Sequence, residues 1–146
     1  MSPSPDAILW PVALHLALVL TLFGMVSLTR LRAVRRGDVA GTGHFARKGA
    51  EPEPSRRYAA NLQNQFELPT FFYALVALLF AVGAVTGVQV ALAWVFVIGR
   101  ALHTVVQTQT DNVPLRGAVF AINFVALIAM WLIFLLPRLF PSLLPF

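Results

Sequence analysis

Arg57, Asn61, Asn64 and Glu67 follow one another at spacings of four, three and three residues. On a helix, those spacings place all four side chains on one face. A second set, Arg100, His103 and Gln107, is spaced three and four and shares a face in the same way. Arg116 comes sixteen residues after Arg100. Both sets lie in or beside long apolar runs, where ionisable groups are costly and commonly face a bundle interior or a site. Guanidiniums, two asparagine amides and one carboxylate suit a polar, anionic ligand, because the arginine fork matches a carboxylate with two hydrogen bonds. Glu67 is expected to pair with Arg100 or to accept a ligand ammonium. A peptide-like molecule with two carboxylates and one amine, such as glutathione, uses this inventory well.

The elements that must carry these residues are membrane spans. The chain is 58% hydrophobic and 12% charged, against about 45–50% and about 25% in soluble domains. A soluble fold this small cannot hide so much apolar surface, whereas lipid can receive it. Ile8–Thr29 is one apolar run, long enough to cross a bilayer, and Met1–Asp6 ahead of it lacks the positive region of a signal peptide. It is expected to remain as a span. Leu68–Val106 is almost continuously apolar, but one straight helix of that length would reach about 58 Å, twice the hydrocarbon core. Gly83, Thr86 and Gly87 mark the place where it folds back. A last run, Leu115–Leu136, is opened by Pro114 and closed by Pro137.

The expected architecture is therefore all-α: an integral membrane four-helix bundle, residues 1–146 as a single domain, with helices at about 8–29, 57–84, 88–108 and 114–136. Residues 30–56 form a polar loop punctuated by glycine and proline, with Ser55 as the N-cap of the next helix. Eight of the eleven basic residues fall within 30–57. The positive-inside rule puts that loop, and the polar helix ends beside it, in the cytoplasm. The formal charge of +5 thus reads as topology rather than as a nucleic-acid surface. High Ala, Val, Leu and Arg usage points to a bacterial inner membrane. There is no cysteine, which excludes disulfides and a cysteine nucleophile. The three histidines lack carboxylate partners at ligand spacing, so no metal site is expected. His15 and Asn123 read as helix–helix contacts, and Arg30, Arg32, Arg35 and Arg36 chiefly as topology determinants.

The stretch Arg57-Tyr-Ala-Ala-Asn61-Leu-Gln-Asn64-Gln-Phe-Glu67-Leu-Pro69 resembles the second-helix signature of the MAPEG family, membrane-associated proteins of eicosanoid and glutathione metabolism. Arg100-Ala-Leu-His103-Thr104-Val-Val-Gln107, with Arg116 beyond it, is similar to that family's third-helix signature and to the arginine opening its fourth helix. The resemblance implies a homotrimer with glutathione, as co-substrate, bound between neighbouring subunits near the cytoplasmic face. It implies that Asn64 and Glu67 bind the glutathione backbone, Arg57 a carboxylate, that Arg100 supports Glu67 and the ligand, and that His103, Asn61 and Gln107 line the site. Arg116 first and Arg30 second stand where family members place the arginine that stabilises the thiolate. Gln107 stands where the prostaglandin-type members have a tyrosine, and Ala60 where the family arginine usually lies.

The expected activity is that of a glutathione transferase or peroxidase acting on a lipophilic small molecule that arrives through the lipid bilayer. The rival expectation is a non-enzymatic bundle, a scaffold or small transporter whose polar cluster is structural.

Overall fold

The computed structural model describes residues 4–46 and 50–141. Arg47, Lys48 and Gly49 of the expected loop lie outside them. A 3-10 turn over Pro5–Ile8 leads into α1 (Leu9–Arg36). A second 3-10 segment, Thr42–Ala46, lies in the connection to α2 (Ser55–Asn64), which is followed by α3 (Leu68–Ala81), α4 (Gly87–Gln109) and α5 (Val113–Leu139). Taken with α2 and α3 as one span, four segments of the described residues are long and apolar enough to cross a membrane. The chain is a multi-pass, all-helical membrane protein.

Several helix boundaries differ from expectation. The first helix continues beyond Thr29, so that Arg30, Arg32, Arg35 and Arg36 are helical rather than part of the loop. Arginine is a good helix former and favours the negative end of the helix dipole, so nothing stops the helix before Gly37. Gly37 takes a left-handed φ of 76° and donates its amide to Ala33 and Val34, the glycine C-cap geometry. The second expected helix is broken at residues 65–67 into α2 and α3. Pro69 lacks the N–H that would bond the Gln65 carbonyl, and its ring would crowd that carbonyl. The chain restarts with Pro69 in the first turn of α3. At the far end, α5 runs through Pro137 to Leu139 instead of closing at Leu136. Ser55, expected as an N-cap, is the first residue of α2, and its hydroxyl bonds Glu51.

Both polar connections meet at one end of the bundle. Arg57, at the start of α2, reaches Asp111 between α4 and α5 at 2.7 Å. At the other end, Ile8 is fully buried in a cluster with Phe72, Leu75, Leu79, Phe96 and Met130, with Ala84 and Val85 of the α3–α4 turn packed against it. Gly83 makes that turn with φ 64°, and Thr86 caps α4 by accepting the Gln89 amide at 3.3 Å. Phe72 and Phe96 stack at 4.6 Å between ring centroids. Gly99 lets α5 come close to α4: a Cβ there would lie 1.8 Å from Asn123 Oδ1. Large apolar side chains remain on the outside, Trp10 and Phe71 among them, where lipid receives them at no cost.

Candidate functional site

The apolar cluster ends, and a polar one begins, where α2 stops. Arg100 on α4 is 1% exposed and donates from Nε to Gln65 Oε1 at 3.1 Å and from Nη2 to the same oxygen at 2.9 Å. Its Nη2 also donates to the Asn64 carbonyl at 2.8 Å. That carbonyl belongs to the last residue of α2 and would have bonded Leu68 in an unbroken helix. Arg100 therefore caps the break that Pro69 creates. Gln65 passes the connection on, donating from Nε2 to Asn61 Oδ1 at 3.1 Å and to Thr104 Oγ1 at 3.4 Å. Thr104 in turn donates to Asn61 Oδ1 at 3.0 Å. On its other side, Gln65 Oε1 lies 3.2 Å from His15 Nε2, and His15 Nδ1 lies 2.6 Å from the Tyr73 hydroxyl. Since Gln65 Oε1 only accepts, His15 carries its proton on Nε2 and Tyr73 donates to Nδ1. His15 thus ties α1 to α2 and α3, as a helix–helix contact should.

Asn61 and Asn64 both donate to Gln107 Oε1, at 2.8 and 3.0 Å. Two cavities flank this amide pair. One, of about 230 Å³, is lined by Gln107, Ala60, Arg57 and Arg116, with Glu53 and Asp111 at its rim. The other, of about 470 Å³, is lined by Asn64, Glu67 and Arg100, and by Phe66, Phe71, Phe120 and Phe124. Asn64 belongs to one wall and Gln107 to the other, so their hydrogen bond forms part of the partition.

The charges divide unevenly. Arg57 is held by Asp111 at 2.7 Å and by Glu53 at 3.3 Å, and Arg56 pairs with Glu53 as well. Arg116 lines the first cavity without a side-chain hydrogen bond or ion pair among the described residues. Glu67 lines the second, exposed and likewise unpaired. Of the two expected roles of Glu67, an ion pair with Arg100 or acceptance of a ligand ammonium, the ion pair is not formed among the described residues: Arg100 is hydrogen-bonded to Gln65 and Asn64, although both charges face the same cavity. Neither does Glu67 share one helix face with Arg57, Asn61 and Asn64, because it sits in the break as the N-cap of α3. His103 is 4% exposed, with its ring 6.1 Å from that of Phe120 and its Nδ1 without a hydrogen-bond partner among the described residues.

Arg30 is not brought to this cluster within one chain. Its guanidinium holds Glu51 through two bonds, 2.7 and 3.1 Å, packs over Phe45 and lines a separate cavity with Ser27 and Leu31. The hydrogen bonds from Arg30 keep the Glu51 carboxyl below the usual carboxylate range, with Ser55 as a further donor.

Gln65 and Thr104 are the members of the site that motif reasoning passed over. Gln65 lies four residues after Asn61 and Thr104 four after Arg100, so helical spacing alone would have assigned each to the polar face.

The MAPEG family model matches residues 7–136, most of the chain. Comparisons with curated proteins and with solved structures gave no match. The protein belongs to the MAPEG family.

Proposed function

We propose that the protein binds glutathione at the Asn64–Gln107 partition and uses the bound thiolate against a lipophilic electrophile, as a transferase or peroxidase. The observation that carries the reading is that Glu67 in one cavity and Arg116 in the other, on the two sides of that partition, make no side-chain hydrogen bond or ion pair among the described residues. A zwitterionic peptide with an ammonium at one end and anionic groups along its length answers both. Family membership supports the same ligand class.

In this reading Glu67 accepts the ligand ammonium, Asn64 binds the ligand backbone, and Gln107 lines the site beside Arg116. Asn61, Arg100 and His103 hold these groups in place. Arg57, already bound to two carboxylates, contributes attraction at the rim for a ligand carboxylate. Arg116 favours the anionic sulfur and lowers the thiol pKa. Arg30 stands second for that role, since its guanidinium is already committed to Glu51. In conjugation the thiolate forms a sulfur–carbon bond while the leaving group departs with its electron pair. In peroxide reduction the thiolate sulfur attacks one peroxide oxygen, the O–O bond breaks and the other oxygen leaves as an alcohol after taking a proton; a second glutathione thiol then displaces water from the sulfenic acid to give the disulfide. The four phenylalanines of the larger cavity suit an apolar co-substrate arriving from the bilayer. Both cavities open at the protein surface, in keeping with a homotrimer in which a neighbouring subunit covers them. The basic end of the bundle faces the cytoplasm under the positive-inside rule.

A second reading, a non-enzymatic bundle, draws support from the Arg100 guanidinium, whose hydrogen bonds all end on protein oxygens. The discriminating variants are Arg116→Ala and Asn64→Ala, assayed for conjugation of a generic electrophile. Loss of turnover with the assembly intact is the expected result. Unchanged turnover in both, or collapse of the assembly in both, favours the scaffold.

A further inference from the structure

A guanidinium has five hydrogens to give and no atom to accept with. The Gln65 atom that Arg100 touches twice, at 3.1 and 2.9 Å, must therefore be the amide oxygen. This one constraint propagates. The Gln65 nitrogen is turned toward Asn61 and donates to its main-chain carbonyl at 3.2 Å and to its Oδ1 at 3.1 Å; an Asn61 nitrogen in that place would set donor against donor, so Asn61 presents Oδ1, which also accepts from Thr104 at 3.0 Å. The Asn61 nitrogen is then turned outward and donates to Gln107 at 2.8 Å, so Gln107 must present Oε1. Asn64 donates to the same oxygen at 3.0 Å. With its oxygen doubly engaged, the Gln107 carboxamide keeps Nε2 free of hydrogen bonds among the described residues, in a side chain that lines the cavity of Arg116.

We propose that Arg100, acting through Gln65 and Asn61, fixes the polarity of the Gln107 carboxamide so that its Nε2–H group is a preset donor to an anionic atom of the ligand beside Arg116. This rests on the glutathione reading for the identity of the ligand, but not for the orientation of the amides. An amide free to rotate spends part of its time with oxygen toward the anion, which repels it. A preset amide spends none, and no reorganisation accompanies the arrival of negative charge. Arg100 and Gln65 are positioning residues in this scheme, and Gln107 is the group that touches the ligand. The anionic atom is either the sulfur, whose proton leaves to solvent, or a carboxylate oxygen; both accept the same hydrogen bond.

Three measurements on the full-length protein in detergent micelles test it. First, without ligand, NMR hydrogen exchange of side-chain amides should show the Gln65 and Asn61 hydrogens protected and those of Gln107 exchanging with solvent. A Gln107 amide as protected as that of Gln65 overturns the proposal. Second, Gln107→Met is titrated with glutathione, following thiolate absorbance, and with S-methylglutathione, which has no thiol. A rise of about one unit in the bound thiol pKa, a tenfold loss of thiolate at a given pH, assigns the sulfur. A tenfold weaker binding of S-methylglutathione assigns a carboxylate. Neither change, with the variant folded, overturns the donor role; Gln107→Leu serves where the methionine variant does not fold. Third, Gln65→Glu keeps acceptors for Arg100 but removes the donor to Asn61, and should reproduce the Gln107→Met effect. Made in the Gln107→Met background, it should add nothing. An equal effect in both backgrounds shows a plain charge effect and overturns the relay. Failure of the parent protein to bind glutathione at all removes the proposed function, while the exchange measurement still decides the orientation.

Discussion

The Arg100 guanidinium binds the neutral Gln65 carboxamide, with both contacts at or below 3.1 Å, and the Glu67 carboxylate, which faces the same cavity, makes no ion pair among the described residues. This choice of partner organises the site. A buried cation is held by oxygens that carry no formal charge, so the Glu67 carboxylate stays available to a ligand. The same guanidinium closes the helix break by accepting the role of C-cap for Asn64.

Removing the Gln65 acceptor should expose the cost of burying Arg100. Gln65→Leu is expected to destabilise the protein by about 3 kcal/mol, because a buried charge loses two hydrogen bonds. Gln65→Glu should cost far less, since its carboxylate still accepts from Arg100. Reversible unfolding in mixed micelles measures both; equal losses for the two variants would show that Arg100 does not depend on this contact.

Gly99→Ala should push α4 and α5 apart, because its Cβ would fall 1.8 Å from Asn123 Oδ1. Overpacking of this kind costs about 1–3 kcal/mol. Asn123 is fully buried and both its side-chain polar atoms lack partners among the described residues, so Asn123→Ala in the Gly99→Ala background should recover most of the loss. A double variant no more stable than Gly99→Ala alone would place the strain elsewhere.

Much of this fold was legible in the chain. Hydropathy gave four spans, and Gly83, Thr86 and Gly87 gave the turn between two of them. The basic stretch from Arg30 to Arg36 misled because charge suggests a loop, whereas helix geometry ends only where Gly37 supplies a left-handed residue. Pro69 carried the signal for the break, but an apolar run of that length reads as one helix. Treating residues 57–84 as unbroken then put Glu67 on the Asn61 face and left Gln65 unconsidered. Opposite charge made Arg100 one of two expected partners for Glu67, the other being a ligand ammonium. Which acceptor a guanidinium takes depends on tertiary geometry, and spacing does not encode it. Asn61, Asn64 and Gln107 do meet, and on that point helical spacing was a sufficient guide.

The Arg30–Glu51 clamp should make stability depend on pH in the acid range. Glu51 sits below its ordinary value of 4.5 in the folded protein, so its contribution is present above that value and is lost as pH falls through the lower folded value. Arg30 is partly exposed, which limits the contribution to about 1 kcal/mol. Thermal unfolding from neutral to acid pH should show a steeper fall for the parent than for Glu51→Gln. Parallel curves would show that the clamp adds nothing.

The account stands most directly on whether the two unpaired charges receive one ligand. Calorimetric titration of the purified protein with glutathione should give saturable heat at millimolar ligand or below. Glu67→Gln and Arg116→Ala should each weaken binding about tenfold or more while the fold is retained. Absence of heat from the parent protein at millimolar glutathione, or undiminished binding in both variants, would contradict it.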